Sequence, residues 1–442
     1  MKTEPVITVG IMDRQSAVAG RLQGAFVAEG SGPVRGRFSA KAMAGTIALF
    51  DEAGQQIAHA PVIRLSATGD STFTLFGVTI GSRFHWERAE DQTFQGNLIL
   101  HVRENDTMAV INEIPLETYL ESVVSSEMSA QAPVEFLKSH AILSRSWLLA
   151  GLQRGKKAKE AAPGAMNAGD GGELVRWYDR EEHDLFHVCA DDHCQRYQGI
   201  TKITSGEAGE AVRETRGIAI THEGEVCDAR YSKACGGLTE EFATAWENGR
   251  VPYLVSIADA PIPYGPVSSE EEAARWVRSR PEAFCNTDER AILTQILPDV
   301  DRETQGFFRW TVEYSRGELE EILREKSGLD FGTLMEIVPL GRGPSGRIFR
   351  LRISGSKRSV VVGKELEIRR WLSRTHLYSS AFVVDVKYDA HGRAQAFVFH
   401  GAGWGHGVGL CQIGAAVMAT RGFRAAHILS HYFQGVEMTK LY

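Results

Sequence analysis

The sequence predicts an α+β fold: a β-rich N-terminal region, then a mixed core of helices and strands that carries a helical insertion. Three observations lead there. Short apolar or alternating runs, broken by Gly, Asp, Ser and Pro, fill residues 6–112. Two segments, from Leu116 and from Pro133, then keep helical spacing. After residue 335 strand-like runs return before two closing helices. A chain of 442 residues is long enough for two or three domains, or for one core with large insertions. The segregation of helices from strands places the divisions at 1–112, at 113–259 together with 336–442, and at 260–335 for the insertion.

In chain order, VITVGI, GAFVA, TIALF, STFTLFGVTI and NLILHV read as strands. MAVINEIPLE runs directly into helix, with Pro115 ahead of the first turn, where its missing N–H costs nothing. Leu116, Tyr119, Leu120, Val123, Val124 and Met128 repeat at helical spacing, and a second helix runs from about Pro133 to Leu152. Residues 154–182 are polar and Gly-rich and read as a mobile surface excursion. Strand-like pieces follow at 197–203 and 211–230, then the turn YSKACGG. SSEEEAARWV and RGELEEILREKSG are helical, the second closed by Gly328. LMEIVPLG, IFRLRIS, RSVVVG, AFVVDVKYD and AQAFVFHG return to strand, and helices are expected from Gln412 and from Arg424 to Phe433.

Composition excludes several classes. Hydrophobic residues at 43% and charged residues at 24% are those of a globular chain, not a disordered one. A net charge of -7 gives no chain-wide basic field, so no nucleic-acid partner is expected. No run approaches the ~20 apolar residues of a membrane-crossing helix, and MKTEPVITVGIM lacks the apolar stretch of a secretory signal. The six cysteines are too few for a disulfide scaffold but are clustered along the chain. Glycine is the unusual count, with 45 residues against ~7% in typical chains.

Five constellations could carry chemistry. Glu127 continues the apolar stripe of Leu116, Leu120 and Val123/Val124, and burial there favours the protonated carboxyl that general acid catalysis requires. Lys138 and Arg145 stand seven residues apart on the next helix, where they could bind substrate or hold the carboxylate. In GAGWGHGVGLCQIGA, Gly401 to Gly409 recur with period two. An extended conformation would strip one face of side chains and present Trp404 and His406, with Gln412 beyond, as substrate-binding candidates. In HDLFHVCADDHC, His183, Cys189 and Cys194 could supply three zinc ligands from one loop, with His193 in the same run; a Cys189–Cys194 disulfide is the competing reading. Tyr231 and Lys233 of YSKACGG follow a strand and could project from a sheet edge.

Several of these motifs, in order, resemble one family. IPLETYLESVVSSEMSAQAPVEFLKSHAILSRSWLLA resembles the opening signature of the SpoIID/LytB family of peptidoglycan-active proteins. YSKACGG, PYLVSIAD, the SGR of GPSGRIFRLRISG, HLYSSAF and GWGHGVGLCQIGA resemble its later motifs, so the resemblance covers most of residues 100–442. It implies an extracytoplasmic lytic transglycosylase that acts on peptide-stripped glycan strands and leaves 1,6-anhydro-N-acetylmuramic acid ends. It also implies the catalytic acid at Glu127 within SSEM, functional cations at Lys138 and Arg145, an activity-linked pair at Tyr231 and Lys233, and zinc on the His183, Cys189 and Cys194 loop. The pattern is departed from at Cys411, where Ser is usual, and at Ala402, where a basic residue is frequent. The reaction needs no cofactor and one acid suffices, because the muramyl C6 hydroxyl replaces water as the nucleophile. The alternative is a LytB-like glycan-binding protein that stimulates a cell-wall amidase without cutting sugar itself.

Overall fold

Alternation of apolar and polar residues along the first hundred positions builds one large sheet. In the computed structural model its strands are β1 (Val6–Gln15), β2 (Ala17–Ala28), β3 (Pro33–Met43), β4 (Thr46–Asp51), β5 (Gln56–Ala60), β6 (Val62–Ile80), β7 (Arg88–Gln95), β8 (Asn97–Arg103) and β9 (Thr107–Pro115). Hydrogen bonding orders them β1-β9-β8-β6-β2-β3-β4-β5, with β7 also on β6. The structure describes residues 3–28, 32–81, 87–157, 167–169, 172–178, 183–302 and 306–442. Much of the polar excursion expected at 154–182 therefore lies outside the described residues.

β3 is hidden in the sequence by charges at its outward positions, and β7 by charged and polar residues on both of its faces. On β3 the inward residues are nevertheless apolar at period two, Val34, Phe38, Ala40 and Ala42, whereas β7 buries Phe94 beside the polar Gln92. The sheet leads straight into α1 (Leu116–Glu127), with Pro115 at the N-cap. Leu116, Leu120, Val123 and Val124 are fully buried on it. Next comes α2 (Val134–Lys157), and then α3 (Glu207–Glu214) where a strand was expected from residue 211. Ala208, Ala211 and Val212 fall at helical spacing and are buried, so the 3.6-residue period prevails over the local strand-like composition. The piece expected as strand at 197–203 is a 3-10 turn, Gly199–Lys202.

The chain divides into two compact units. The first comprises Met1–Gly155, Arg180–Ala219 and Thr439–Tyr442, and the second Lys156–Asp179 and Ile220–Met438. The second unit holds a sheet in which Glu173–Val175, Ser359–Gly363, Ile348–Gly355 and Leu334–Arg342 are successive neighbours. A further three-stranded sheet has Ala394–Ala402 at its centre, flanked by Arg309–Ser315 and Phe382–Tyr388. The stretch expected to be helical at 260–335 supplies helices Glu270–Arg278, Arg290–Ile296 and Arg316–Ser327, and also that flanking strand. Ser315 caps the last of these helices by accepting from the Glu318 N–H, and Gly328 ends it at φ 73°. Leu319, Leu323, Leu351, Phe382, Phe397 and Phe399 close the core between that helix and both sheets. Among the described residues no helix is long and apolar enough to cross a membrane.

Candidate functional site

Glu127 is the last residue of α1 and is only 7% exposed, so the carboxylate does continue the buried face. Its Oε1 accepts the backbone N–H of Arg196 at 3.0 Å. The segment that delivers this donor is tied to α1 and β9 by buried polar contacts. Tyr119 Oη donates to Gln195 Oε1 at 3.1 Å, Tyr197 Oη to Asn112 Oδ1 at 2.6 Å, and the Gln198 N–H to Ser122 Oγ at 3.2 Å. Two residues that sequence reasoning passed over belong to the same neighbourhood. The Arg196 side chain donates from Nε to Asp192 Oδ1 at 2.5 Å. Burial pushes the Asp192 carboxyl up to about 6 against the pull of Arg196, with the nearby Glu127 adding to the rise. Only the local density of acidic and metal-binding residues in CADDHC pointed to Asp192.

The His/Cys loop enters beside β1. A Cβ on Gly10 would lie 2.4 Å from the Phe186 ring, so the bare backbone there lets Phe186 sit down and the loop run along the strand. Val188 and Cys189 then pair in parallel with Val9 and Gly10. Four donor atoms, from His183, Cys189, His193 and Cys194, lie within 4.8 Å of one another. His183 Nε2 is 3.3 Å from Cys194 Sγ, and His193 Nδ1 is 3.4 Å from Cys194 Sγ and 3.7 Å from Cys189 Sγ. All six cysteines are free thiols, so the alternative Cys189–Cys194 disulfide is not formed. The Cys189 thiol is held down at about 2, chiefly by Cys194, with His183 and His193 assisting against burial. His193, left out of the three-ligand expectation, completes the set.

The cations expected beside Glu127 are engaged elsewhere. Arg145 is 0% exposed and forms a two-pronged pair with Glu117: Nε to Oε1 at 2.9 Å and Nη2 to Oε2 at 2.6 Å. Its third arm donates from Nη1 to the Ile218 carbonyl at 2.9 Å. A guanidinium enclosed in this way holds chain segments together and has no surface to offer a polymer. Lys138 Nζ pairs with Glu214 at 2.5 Å and Glu135 at 3.2 Å, tying α2 to α3.

The remaining predicted residues lie in the second unit, around one short pairing. Tyr231 and Ser232 run parallel to Leu410 and Cys411, Ala234 bridges to Trp404, and the Ile413 N–H donates to the Lys233 carbonyl at 3.1 Å. Lys233 Nζ meets Asp301 Oδ2 at 2.9 Å, both side chains largely buried. Gln412 is buried as the first residue of its helix. Trp404 is half-buried and stacks on Tyr378 with ring centroids 4.3 Å apart. His406 packs edge-on to Trp246 at 4.9 Å, and burial with the cations Arg230 and Arg347 holds its imidazole well below its ordinary value, hence neutral.

The glycine segment is not the extended, one-faced strand its period suggested. Gly403, Gly405, Gly407 and Gly409 all have φ between 73° and 93°, a left-handed conformation that side chains disfavour. What approaches the bare backbone is this chain's own Arg347, from the SGR motif. A Cβ on Gly407 would lie 2.3 Å from Arg347 Cζ, and one on Gly403 2.8 Å from Nη2. The fully buried guanidinium donates to the carbonyls of Gly405 at 3.2 Å and Cys235 at 3.1 Å, and to Ser345 Oγ at 2.9 Å. Gly407→Ala is therefore expected to cost at least ~2 kcal/mol, from the backbone strain and from displacing a buried cation. Urea denaturation monitored by tryptophan fluorescence reads that loss.

Residues 104–222 match the family model described as stage II sporulation protein, and residues 240–409 match that of a domain of unknown function. The chain is 24% identical over 332 residues to stage II sporulation protein D of Bacillus amyloliquefaciens, covering 75% of this chain and 76% of that protein. It is 23% identical over 330 residues to the protein of the same name from Bacillus subtilis (strain 168), with the same coverage. A protein of that strain named amidase enhancer is 22% identical over 247 residues, which is 53% of this chain and 33% of the enhancer.

Proposed function

Because the chain belongs to the SpoIID family, we propose that it is a peptidoglycan lytic transglycosylase cleaving the bond between N-acetylmuramic acid and N-acetylglucosamine in peptide-stripped glycan strands, outside the cytoplasm. The observation that carries this reading is Glu127, a carboxyl buried at the end of α1 with one oxygen held by the Arg196 N–H and lying within the family match. Protonated Glu127 gives its proton to the glycosidic oxygen as the C1–O bond breaks. The C6 hydroxyl oxygen of the same muramyl residue then bonds to C1, and its proton returns to Glu127. Atoms balance without water, so one carboxyl serves as acid and then base. In this reading Tyr231, Trp404 and His406, which keep part of their surface exposed, contribute to holding the glycan, while the largely buried Lys233 and the buried Gln412 side chains support the turn and helix that carry them. Arg145 ties α2 to α1, on which Glu127 stands, and Lys138 ties α2 to α3.

The His/Cys loop fits a structural zinc. A tetrahedral ion with Zn–S of about 2.3 Å and Zn–N of about 2.0 Å separates N from S by roughly 3.5 Å, and the three N···S distances here run from 3.3 to 3.7 Å. Four protein ligands would leave no open position, so the ion would brace the loop that delivers Arg196, not act on substrate. His193→Ala is expected to lose one zinc per chain by elemental analysis, and with it the tight protease resistance of the 183–198 segment.

Mass spectrometry of amidase-treated peptidoglycan after digestion tests the activity. Anhydromuramyl ends are expected, and their absence overturns the proposal. The amidase-enhancer relative motivates the second reading. Faster amidase turnover with no anhydro ends would establish that reading instead.

A further inference from the structure

The second unit contains a donor cluster that the proposed chemistry does not use. Cys235, Asp259, Cys285 and Cys411 are all buried, and one ligand atom from each lies within 4.8 Å of the other three. The four come from segments far apart in sequence: the turn after Tyr231–Ser232, the loop at 258–260, the loop before Arg290–Ile296, and the start of the helix Gln412–Thr420. We propose that these residues form a second metal site, a closed Cys₃Asp set that binds one zinc ion and locks the glycine segment to the YSKACGG turn.

The distances suit a single ion. Cys235 Sγ and Cys285 Sγ are 3.7 Å apart, where a tetrahedral zinc with Zn–S of about 2.3 Å requires roughly 3.8 Å. A disulfide requires about 2.05 Å, and all six cysteines are free. The mixture of three thiolates with one carboxylate selects a borderline ion such as zinc over copper(I), which prefers sulfur alone.

The surroundings are built for negative charge. Burying a carboxylate among sulfur atoms is costly unless a cation or donors compensate. Asp259 Oδ1 accepts from Tyr432 Oη at 2.6 Å, and Oδ2 from the Cys285 N–H at 3.0 Å. Two backbone donors serve the thiolates: Cys235 N to Cys411 Sγ at 3.2 Å, and Gly237 N to Cys235 Sγ at 3.4 Å. The second needs a turn through Gly236 and Gly237 at φ 81° and 107°. Cys411 also stands at the N-cap position of the nine-residue helix Gln412–Thr420, whose N-terminal end favours an anion there. Gly414 in its first turn leaves room for the acid, since a Cβ would lie 2.4 Å from Asp259 Oδ1. A group of apolar-packed thiols would need neither these donors nor the carboxylate. With an ion in place, the Cys235–Cys411 link would fix the strand pairing that carries Tyr231 and Lys233.

Metal content of the full chain, purified under reducing conditions with zinc supplied, tests this. Two zinc ions per chain are expected by elemental analysis, falling to one in Cys411→Ser and independently to one in His183→Ala. In His183→Ala reconstituted with cobalt(II), the remaining site is expected to give tetrahedral d–d bands and thiolate charge-transfer absorption, both abolished by adding Cys411→Ser. Cys285→Ser serves the same purpose if Cys411→Ser fails to fold. A wild-type content of one zinc that His183→Ala removes and Cys411→Ser leaves intact overturns the proposal. So does a Cys235–Cys285 disulfide in peptides from the unreduced protein. Neither result bears on glycan cleavage, so this site and the catalytic reading fail separately.

Discussion

Glu127→Gln is expected to lower the release of anhydromuramyl ends by about 10²- to 10⁴-fold, the usual range for losing a positioned general acid. The substitution is nearly isosteric, and its amide oxygen can still accept the Arg196 N–H that now reaches Glu127 Oε1 at 3.0 Å. Folding and glycan binding should therefore survive while proton donation does not. Quantifying anhydro ends by liquid chromatography with mass spectrometry, alongside a glycan pull-down, separates the two. Glu121 provides the control, since it lies six residues away, about 120° around the helix at 3.6 residues per turn. Glu121→Gln should retain the rate. Wild-type cleavage by Glu127→Gln would remove Glu127 from the mechanism and turn attention to Asp192, the neighbouring acid that burial pushes up to about 6.

The legible parts of this protein were those governed by local periodicity. Leu116, Leu120 and Val123 at helical spacing disclose the buried face of α1 and the place of Glu127 on it. Illegible parts depend on partners distant in sequence. Arg145 looked available because its own helix cannot reveal that Glu117, 28 residues earlier, and the Ile218 carbonyl, 73 residues later, enclose its guanidinium. The alternating glycines suggested an open wall for a ligand because period two implies a strand. Their left-handed φ values, and Arg347 seated against them, come from a residue about sixty positions upstream. The buried donor set of Cys235, Asp259, Cys285 and Cys411 spans 176 positions, from the first cysteine to the last, so no spacing rule could assemble it. His193 was nearest to being found. It stands next to Cys194, and only the folded loop turns its Nδ1 to both sulfur atoms.

Arg145→Ala is expected to cost about 3–5 kcal/mol of stability, the penalty for breaking a buried ion pair by removing one partner. The loss falls mostly on what remains. Glu117 is 7% exposed, and its carboxylate also accepts the Gly217 N–H at 3.2 Å and Tyr442 Oη at 2.5 Å. Those donors hold the acid in place but bring no positive charge, so without Arg145 an ionised carboxylate stays buried uncompensated. The Ile218 carbonyl loses its donor as well. Arg145→Lys should recover only part of the loss, because one ammonium cannot make two parallel contacts to the carboxylate and also reach that carbonyl. The double change Arg145→Leu with Glu117→Leu should be milder than Arg145→Ala alone, since no charge is then stranded. Urea unfolding of the four proteins measures these differences. The pattern also separates a supporting role from a binding one. A glycan-contacting arginine would show weaker pull-down at unchanged stability, whereas an enclosed one shows a lower unfolding midpoint and, while still folded at low temperature, glycan binding equal to wild type.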